Sequence, residues 1–192
     1  MSVDKTNRPP DFRSDIDRYG TWGEALFESH YRPQFEKKNY VLFNVTKNQK
    51  YQVNDIDFVV AKYLAEDPET PDHQSSLILG DGDNYERIEV KVDTRTIDTG
   101  NIPYEMVSHS QLGWCLVTKC DKVFFIIAKE NGEELTPVRG LWLDMAKWRE
   151  FIADKTTKKK CNYIRSENGI FDLLCKVEDL QAYGVVIGEK TF

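Results

Sequence analysis

Tyr85-Glu86-Arg87-Ile88-Glu89-Val90-Lys91-Val92 is the stretch on which the reading of this chain turns. It follows the turn-forming run Gly80-Asp81-Gly82-Asp83-Asn84 and reads as a β-strand. Two residues apart on a strand, Glu89 and Lys91 point the same way, so their head groups share one small volume. Upstream, Ile56-Asp57 sits on another expected strand, Tyr51 to Tyr63. If Asp57 comes up beside Glu89, two carboxylates and an ammonium converge where a hydrated divalent cation and a phosphate fit. Mg²⁺ takes hard oxygen ligands, typically one or two carboxylates with waters and substrate phosphates, and a lysine there orients or activates a water.

Outward from this stretch, residues 1–18 read as a loose, flexible arm. Thr21 to about Lys38 reads as a helix, with Trp22, Leu26 and Phe27 as its apolar positions and Pro33 kinking or ending it. Val41–Val45 reads as a strand, residues 66–76 as a polar loop, and Leu77–Leu79 as a further strand. Thr94–Asn101 is a polar loop with a Thr-Gly-Asn turn, and Ile102–Val107 fits a strand or a short helix. Trp114–Thr118 and Lys122–Ala128 read as a hairpin whose second strand, nearly all apolar, is central in a sheet. Leu143–Ile152 reads as a helix, Cys161–Arg165 as a strand, and Val177–Leu180 as a short helix. The expected fold is α/β of the α+β kind, a mixed central sheet flanked by helices. Residues 19–192 form one domain in this reading, with 129–192 a C-terminal extension of the core.

The chain has 192 residues and a net charge of −6, enough length for one substantial core. No run approaches the roughly 20 apolar residues of a membrane-spanning helix, and the polar start does not resemble a targeting segment, so a cytoplasmic protein is expected. The acidic balance does not exclude nucleic acid, because a bound cation reverses the sign of its carboxylate ligands. One dense basic run, Lys155 with Lys158, Lys159 and Lys160, is followed by Arg165. It reads either as a solvated turn or as phosphate contacts. The four cysteines lack metal-site spacing and read as buried thiols. His30, His73 and His109 form no HxH or HExxH pattern, and there is no GxSxG elbow, phosphate-binding GxxxxGK[ST] loop or GxGxxG.

An acid-bearing helix, an Asp-bearing strand and a strand with Glu-x-Lys, in that order, resemble the PD-(D/E)xK nuclease superfamily, which includes type II restriction enzymes and Holliday-junction resolvases. Ile56-Asp57 and Glu89-Val90-Lys91 match its two strand motifs, and Gly23-Glu24 resembles the acidic residue on its first helix. Asp93-Thr94-Arg95, the run Thr99-Gly100-Asn101-Ile102-Pro103-Tyr104-Glu105, Gly113-Trp114 and Cys120-Asp121-Lys122 also resemble small phage and bacterial members. The resemblance covers roughly residues 20–128. It departs from the pattern in lacking the motif's Pro before Asp57 and in the long separation of Asp57 from Glu89.

The resemblance implies a restriction-endonuclease-like fold and a Mg²⁺- or Mn²⁺-dependent endonuclease acting on DNA, branched or duplex, with homodimerisation. Asp57, Glu89, Lys91 and Glu24 would be catalytic, Asp57, Glu89 and Glu105 would hold metal, and Lys158, Lys159, Lys160 and Arg165 would touch nucleic acid. Competing readings remain at several positions. Asp55 rivals Asp57 on the same expected strand face. Glu24, three residues after Thr21, completes a capping box. Glu89 and Lys91 fit an ordinary solvated strand face. A non-catalytic relative that binds nucleic acid or a partner protein, such as a phage-type regulator or inhibitor, is the alternative function.

Overall fold

The computed structural model describes residues 10–62, 85–108, 111–165 and 169–192, with side chains from residue 18 onward. The expected loop at 66–76, the strand at 77–79 and the turn at 80–84 lie outside the described residues.

Helix α1 runs from Pro10 to Glu36. Residues 10–18, expected in the loose arm, are therefore helical. Pro33 does not end α1: the helix continues three residues beyond it, and Asn39 follows in a left-handed conformation (φ 59°). Gly23, Phe27 and Tyr31, each one helical turn apart, form its buried stripe.

Strand β1 (Tyr40–Asn44) leads to a single helical turn, α2 (Gln49–Gln52), then to β2 (Phe58–Lys62) and β3 (Tyr85–Asp93). The expected strand beginning at Tyr51 is thus half helix and turn. Asn48 Oδ1 accepts a hydrogen bond from the Lys50 N–H and starts α2, while Asp55 takes a left-handed φ of 51°. Asp55 therefore does not share a strand face with Asp57.

After β3 come α3 (Thr96–Thr99), β4 (Asn101–Ser108), β5 (Gln111–Leu112) and α4 (Trp114–Val117). Asp93 Oδ1 accepts from the Thr96 N–H at 2.6 Å, and Gly100 ends α3 at φ 65°. The Thr-Gly-Asn turn is the stop of that helix and the start of β4. Then β6 (Lys122–Asn131) and β7 (Glu134–Asp144) form the long hairpin, turning through Gly132. The partner expected for Lys122–Ala128 was Trp114–Thr118, which is instead the helical turn α4. The chain ends with α5 (Met145–Ala153), α6 (Lys155–Lys158), β8 (Asn162–Arg165), β9 (Phe171–Lys176), α7 (Val177–Tyr183) and β10 (Val186–Thr191).

The fold is α+β. A mixed six-stranded sheet has the order β1-β2-β3-β6-β7-β10, with β3 and β6 its parallel pair, and a four-stranded antiparallel sheet has the order β5-β4-β9-β8. Residues 129–192 supply β7 and β10 of the main sheet, so the last third is built into the core. One face of the main sheet packs on α1 through Phe27, Tyr31, Phe58, Ile88, Phe124 and Ile126. The other face supplies Val59, Val123, Phe125, Leu141 and Leu143 to a larger core with the second sheet, α5 and α7. No helix among the described residues is long and apolar enough to cross a membrane.

Candidate active site

Strand β3 carries the site because its two faces meet different cores. Ile88 and Val90 are buried against α1. By alternation Glu89 and Lys91 face the other way, in register with Val123 and Phe125 of β6. Glu89 is 4% exposed, while the Lys91 side chain keeps 32% of its surface. Glu89 Oε1 pairs with Lys91 Nζ. Glu89 Oε2 is buried and receives no hydrogen bond from an N–H or hydroxyl group among the described residues, and the Asp57 carboxyl stands within hydrogen-bonding reach of Glu89, a bond that forms only when one of the two acids is protonated. With both carboxyls ionised neither can donate to the other, so a shared proton or a cation is needed to offset the two adjacent charges.

Asp57 lies immediately before β2. Its N–H donates to Ile88 O at 3.0 Å and its carbonyl accepts from Val45 N at 2.9 Å. One rung further on, the backbone of β2 no longer pairs with β3, and the Asp57 side chain takes its place: Oδ2 accepts from the Val90 N–H at 2.8 Å. The carboxyl is thereby fixed beside Glu89. Asp55 acts on Lys91 through its charge, from outside the strand.

Glu24 arrives from α1. A Cβ at Gly23 would lie 2.4 Å from Val92 Cγ2, so only glycine lets the helix lie this close to β3 at the point where Glu24 reaches the cluster. Thr21 is mid-helix, which removes the capping-box reading of Glu24. Its charge is coupled to those of Glu89 and Lys91.

The electrostatics follow from Glu89 and Asp57 beside the Lys91 ammonium, with the Glu24 charge acting on them from α1. Burial, reinforced by Asp57 and opposed by Lys91, pushes Glu89 up to about 7. Burial also raises Asp57, assisted by Glu24 and opposed by the Val90 N–H and Lys91. Glu24 is raised by burial and then by Glu89. For Lys91 burial works downward, but Glu89, Asp57 and Asp55 outweigh it and hold the ammonium charged. The cluster therefore keeps a proton near neutral pH in a place where a cation would stabilise the ionised form.

Among the described residues no three His, Cys, Asp or Glu side chains stand close enough to cage an ion. Two adjacent carboxylates fit the open, water-rich coordination of Mg²⁺ better than a closed cage.

Glu105, expected as a ligand, is engaged at α4: its Oε1 accepts from the Trp114 N–H at 3.0 Å. Gly113 packs so tightly on this strand that a Cβ would lie 2.4 Å from Glu105 O. These two contacts bend Trp114–Val117 into a helical turn despite its strand-like residues. The Trp114 ring then lies under Lys91, with Nζ 4.8 Å from its centroid. Sequence reasoning gave Trp114 no role in the site, and it missed Asp172 altogether. Asp172 faces Glu105 across β4 and β9, and burial followed by the Glu105 charge raises it to about 6. Only the long-range pairing of β4 with β9 brings it there, and nothing local signals it.

Lys158, Lys159 and Arg165 lie at the far edge of the second sheet, where β8 is two strands from β4. Lys160 Nζ pairs with Asp179 at 3.1 Å. This basic group is separate from the carboxyl cluster. No protein-family model matches the chain, and neither a curated protein nor a solved structure matches it.

Proposed function

We propose that this protein is a metal-dependent endonuclease of the PD-(D/E)xK kind, hydrolysing phosphodiester bonds in DNA. The observation that carries the reading is the buried Glu89, set beside Asp57 and Lys91 so that two carboxyls and an ammonium share one small volume. Asp57 and Glu89 would hold Mg²⁺ or Mn²⁺, which when bound polarises the phosphoryl oxygen and lowers the pKa of a coordinated water. Lys91, kept charged by its acidic neighbours, orients the attacking water and stabilises the negative charge that grows on the phosphate. Glu24 adds a third acidic group at the rim and supports the hydrated cation. Lys158, Lys159, Lys160 and Arg165 contact the DNA backbone away from the reacting bond, and a homodimer would present two such sites to two strands.

The test is cleavage of plasmid, linear and four-way-junction DNA with Mg²⁺ or Mn²⁺, comparing wild type with Glu89→Ala. Cutting that requires the metal and falls at least about 1000-fold in the variant supports the reading. A folded wild type that cuts none of the three overturns it.

The ion pair of Lys91 with Glu89, which occupies one of the two carboxylate oxygens, favours a second reading. In it the protein is a non-catalytic nuclease-fold binder of nucleic acid or of a partner protein. Lys91→Ala separates the two: a nuclease loses cleavage and retains its fold, while a binder keeps its affinity.

A further inference from the structure

We propose that Cys161 and Cys175 are a redox modification site, a dithiol that oxidised glutathione converts to a cross-strand disulfide tying β8 to β9. The inference stands apart from the nuclease reading and uses none of its residues.

The antiparallel register of these strands pairs Asn162 with Leu174 and Tyr163 with Leu173. One step back along the same ladder places Cys161 directly opposite Cys175. Residues facing each other in this way have Cα atoms about 4.5 or 5.5 Å apart, and both spacings fall in the range a disulfide spans. The sulfurs are already in contact, 3.2 Å apart. No change of backbone course is needed to join them.

The two thiols differ in a way that assigns their roles. Cys161 sits at the strand's entry, on the turn that follows α6, with its N–H bonded to Lys158 O at 3.1 Å. It is 5% exposed, and Cys175 is 1% exposed. The contact between the two sulfurs lowers the pKa of the Cys161 thiol, opposed by burial and by the Asp179 charge. The Cys161 sulfur, and then burial, push Cys175 up. Cys161, the more exposed of the two and placed on the turn at the strand's entry, is the entry thiol, and Cys175 the resolving one.

The Cys161 thiolate attacks one sulfur of glutathione disulfide, whose S–S bond breaks and releases one glutathione thiolate. Cys175 sulfur then attacks the Cys161 sulfur of the mixed disulfide and expels the second glutathione. The protein loses two electrons and two protons, and glutathione disulfide is reduced to two thiols. The product pins the edge strand that carries Tyr163 and Arg165.

The full-length native protein is incubated with oxidised glutathione, remaining thiols are alkylated in denaturant, and the peptides are mapped without reduction. The expected product is a Cys161–Cys175 linked peptide, with Cys115 and Cys120 alkylated. The midpoint of thermal unfolding rises by about 5–10 °C and returns with dithiothreitol, as closure of a loop of this length implies. In Cys175→Ala a glutathione adduct accumulates on Cys161. Recovery of both cysteines as thiols overturns the proposal, as does a bond to Cys115 or Cys120. A wild-type adduct on Cys161 that never resolves overturns it too. The wild-type map decides the matter even where the variant does not fold.

Discussion

The two faces of the central sheet are built on opposite plans from the same strands. Against α1 the sheet presents aromatic and aliphatic groups: Phe124 lies 5.3 Å from Phe27, 5.0 Å from Tyr31 and 5.0 Å from Trp142, ring centre to ring centre. On the other face the same β3 inserts Glu89 into the larger core beside the Asp57 carboxyl and the Lys91 ammonium. The first face gains stability from packing. The second gives some of it up for a charged cluster, a trade that proteins make at functional sites.

The comparison is tested most severely on its apolar side. Phe124 is fully buried. Phe124→Ala removes the ring shared by three aromatic neighbours, and it is expected to lower the unfolding free energy by about 3–5 kcal/mol. A urea titration with unchanged slope measures this. A cost below about 1 kcal/mol would mean that the aromatic face is not what holds α1 to the sheet.

On the acidic side the expected effect is a pH dependence. Glu89 titrates at about 7 in the fold, against 4.5 for an ordinary glutamate. Between those values the folded protein holds a proton that the unfolded chain has released. The contribution of Glu89 to stability is thus complete below about 4.5 and is lost as the pH rises through about 7. The loss is on the order of 3 kcal/mol for a group this deeply buried. Glu89→Gln cannot ionise, so its unfolding free energy should fall less over this window. Asp57, raised in the same direction, leaves a residual slope. Equal slopes in wild type and variant would show that Glu89 is not held protonated.

Much of this division was legible in the sequence, because alternation along Tyr85–Val92 separates the two faces at once. Asp57 does come up beside Glu89, but from just before β2 and not from within a strand. Asp57 follows a turn and ends the pairing of β2 with its own carboxylate, a detail set by the left-handed Asp55 and the α2 turn. The long hairpin was missed despite Asn131-Gly132, a strong turn signal, because Trp114–Thr118 offered a nearer apolar partner. That segment is helical only because Glu105 and Gly113 hold it so, which are tertiary facts. The contact of Gly23 with Val92 is equally invisible along the chain.

Gly23 links the two faces, since it seats α1 on the apolar side and delivers Glu24 to the acidic one. Replacing a helix-interior glycine with alanine ordinarily stabilises by about 1 kcal/mol. Here the new methyl would meet Val92 at 2.4 Å, and overpacking of this kind costs about 1–3 kcal/mol. Gly23→Ala should therefore destabilise by about 1 kcal/mol net, read from the urea midpoint. A stabilised variant would show that α1 lifts away freely and that Glu24 is not held in place by this contact.

The smallest effect is expected at Trp114, where the acidic face borrows an aromatic ring. Lys91 is held by the Glu89 carboxylate and, at 4.8 Å, by the Trp114 ring face. An ammonium over a partly exposed indole gains about 0.5–1 kcal/mol. Trp114→Leu keeps an apolar side chain and the backbone N–H that Glu105 accepts, so the turn should persist while this attraction disappears. On the proposed nuclease reading, cleavage should then fall about two- to fivefold, far less than in Lys91→Ala, because the carboxylate still fixes the ammonium. If the two variants lost activity equally, the ring would be the element that positions Lys91. The acidic face would then depend on aromatic packing as much as the face against α1 does.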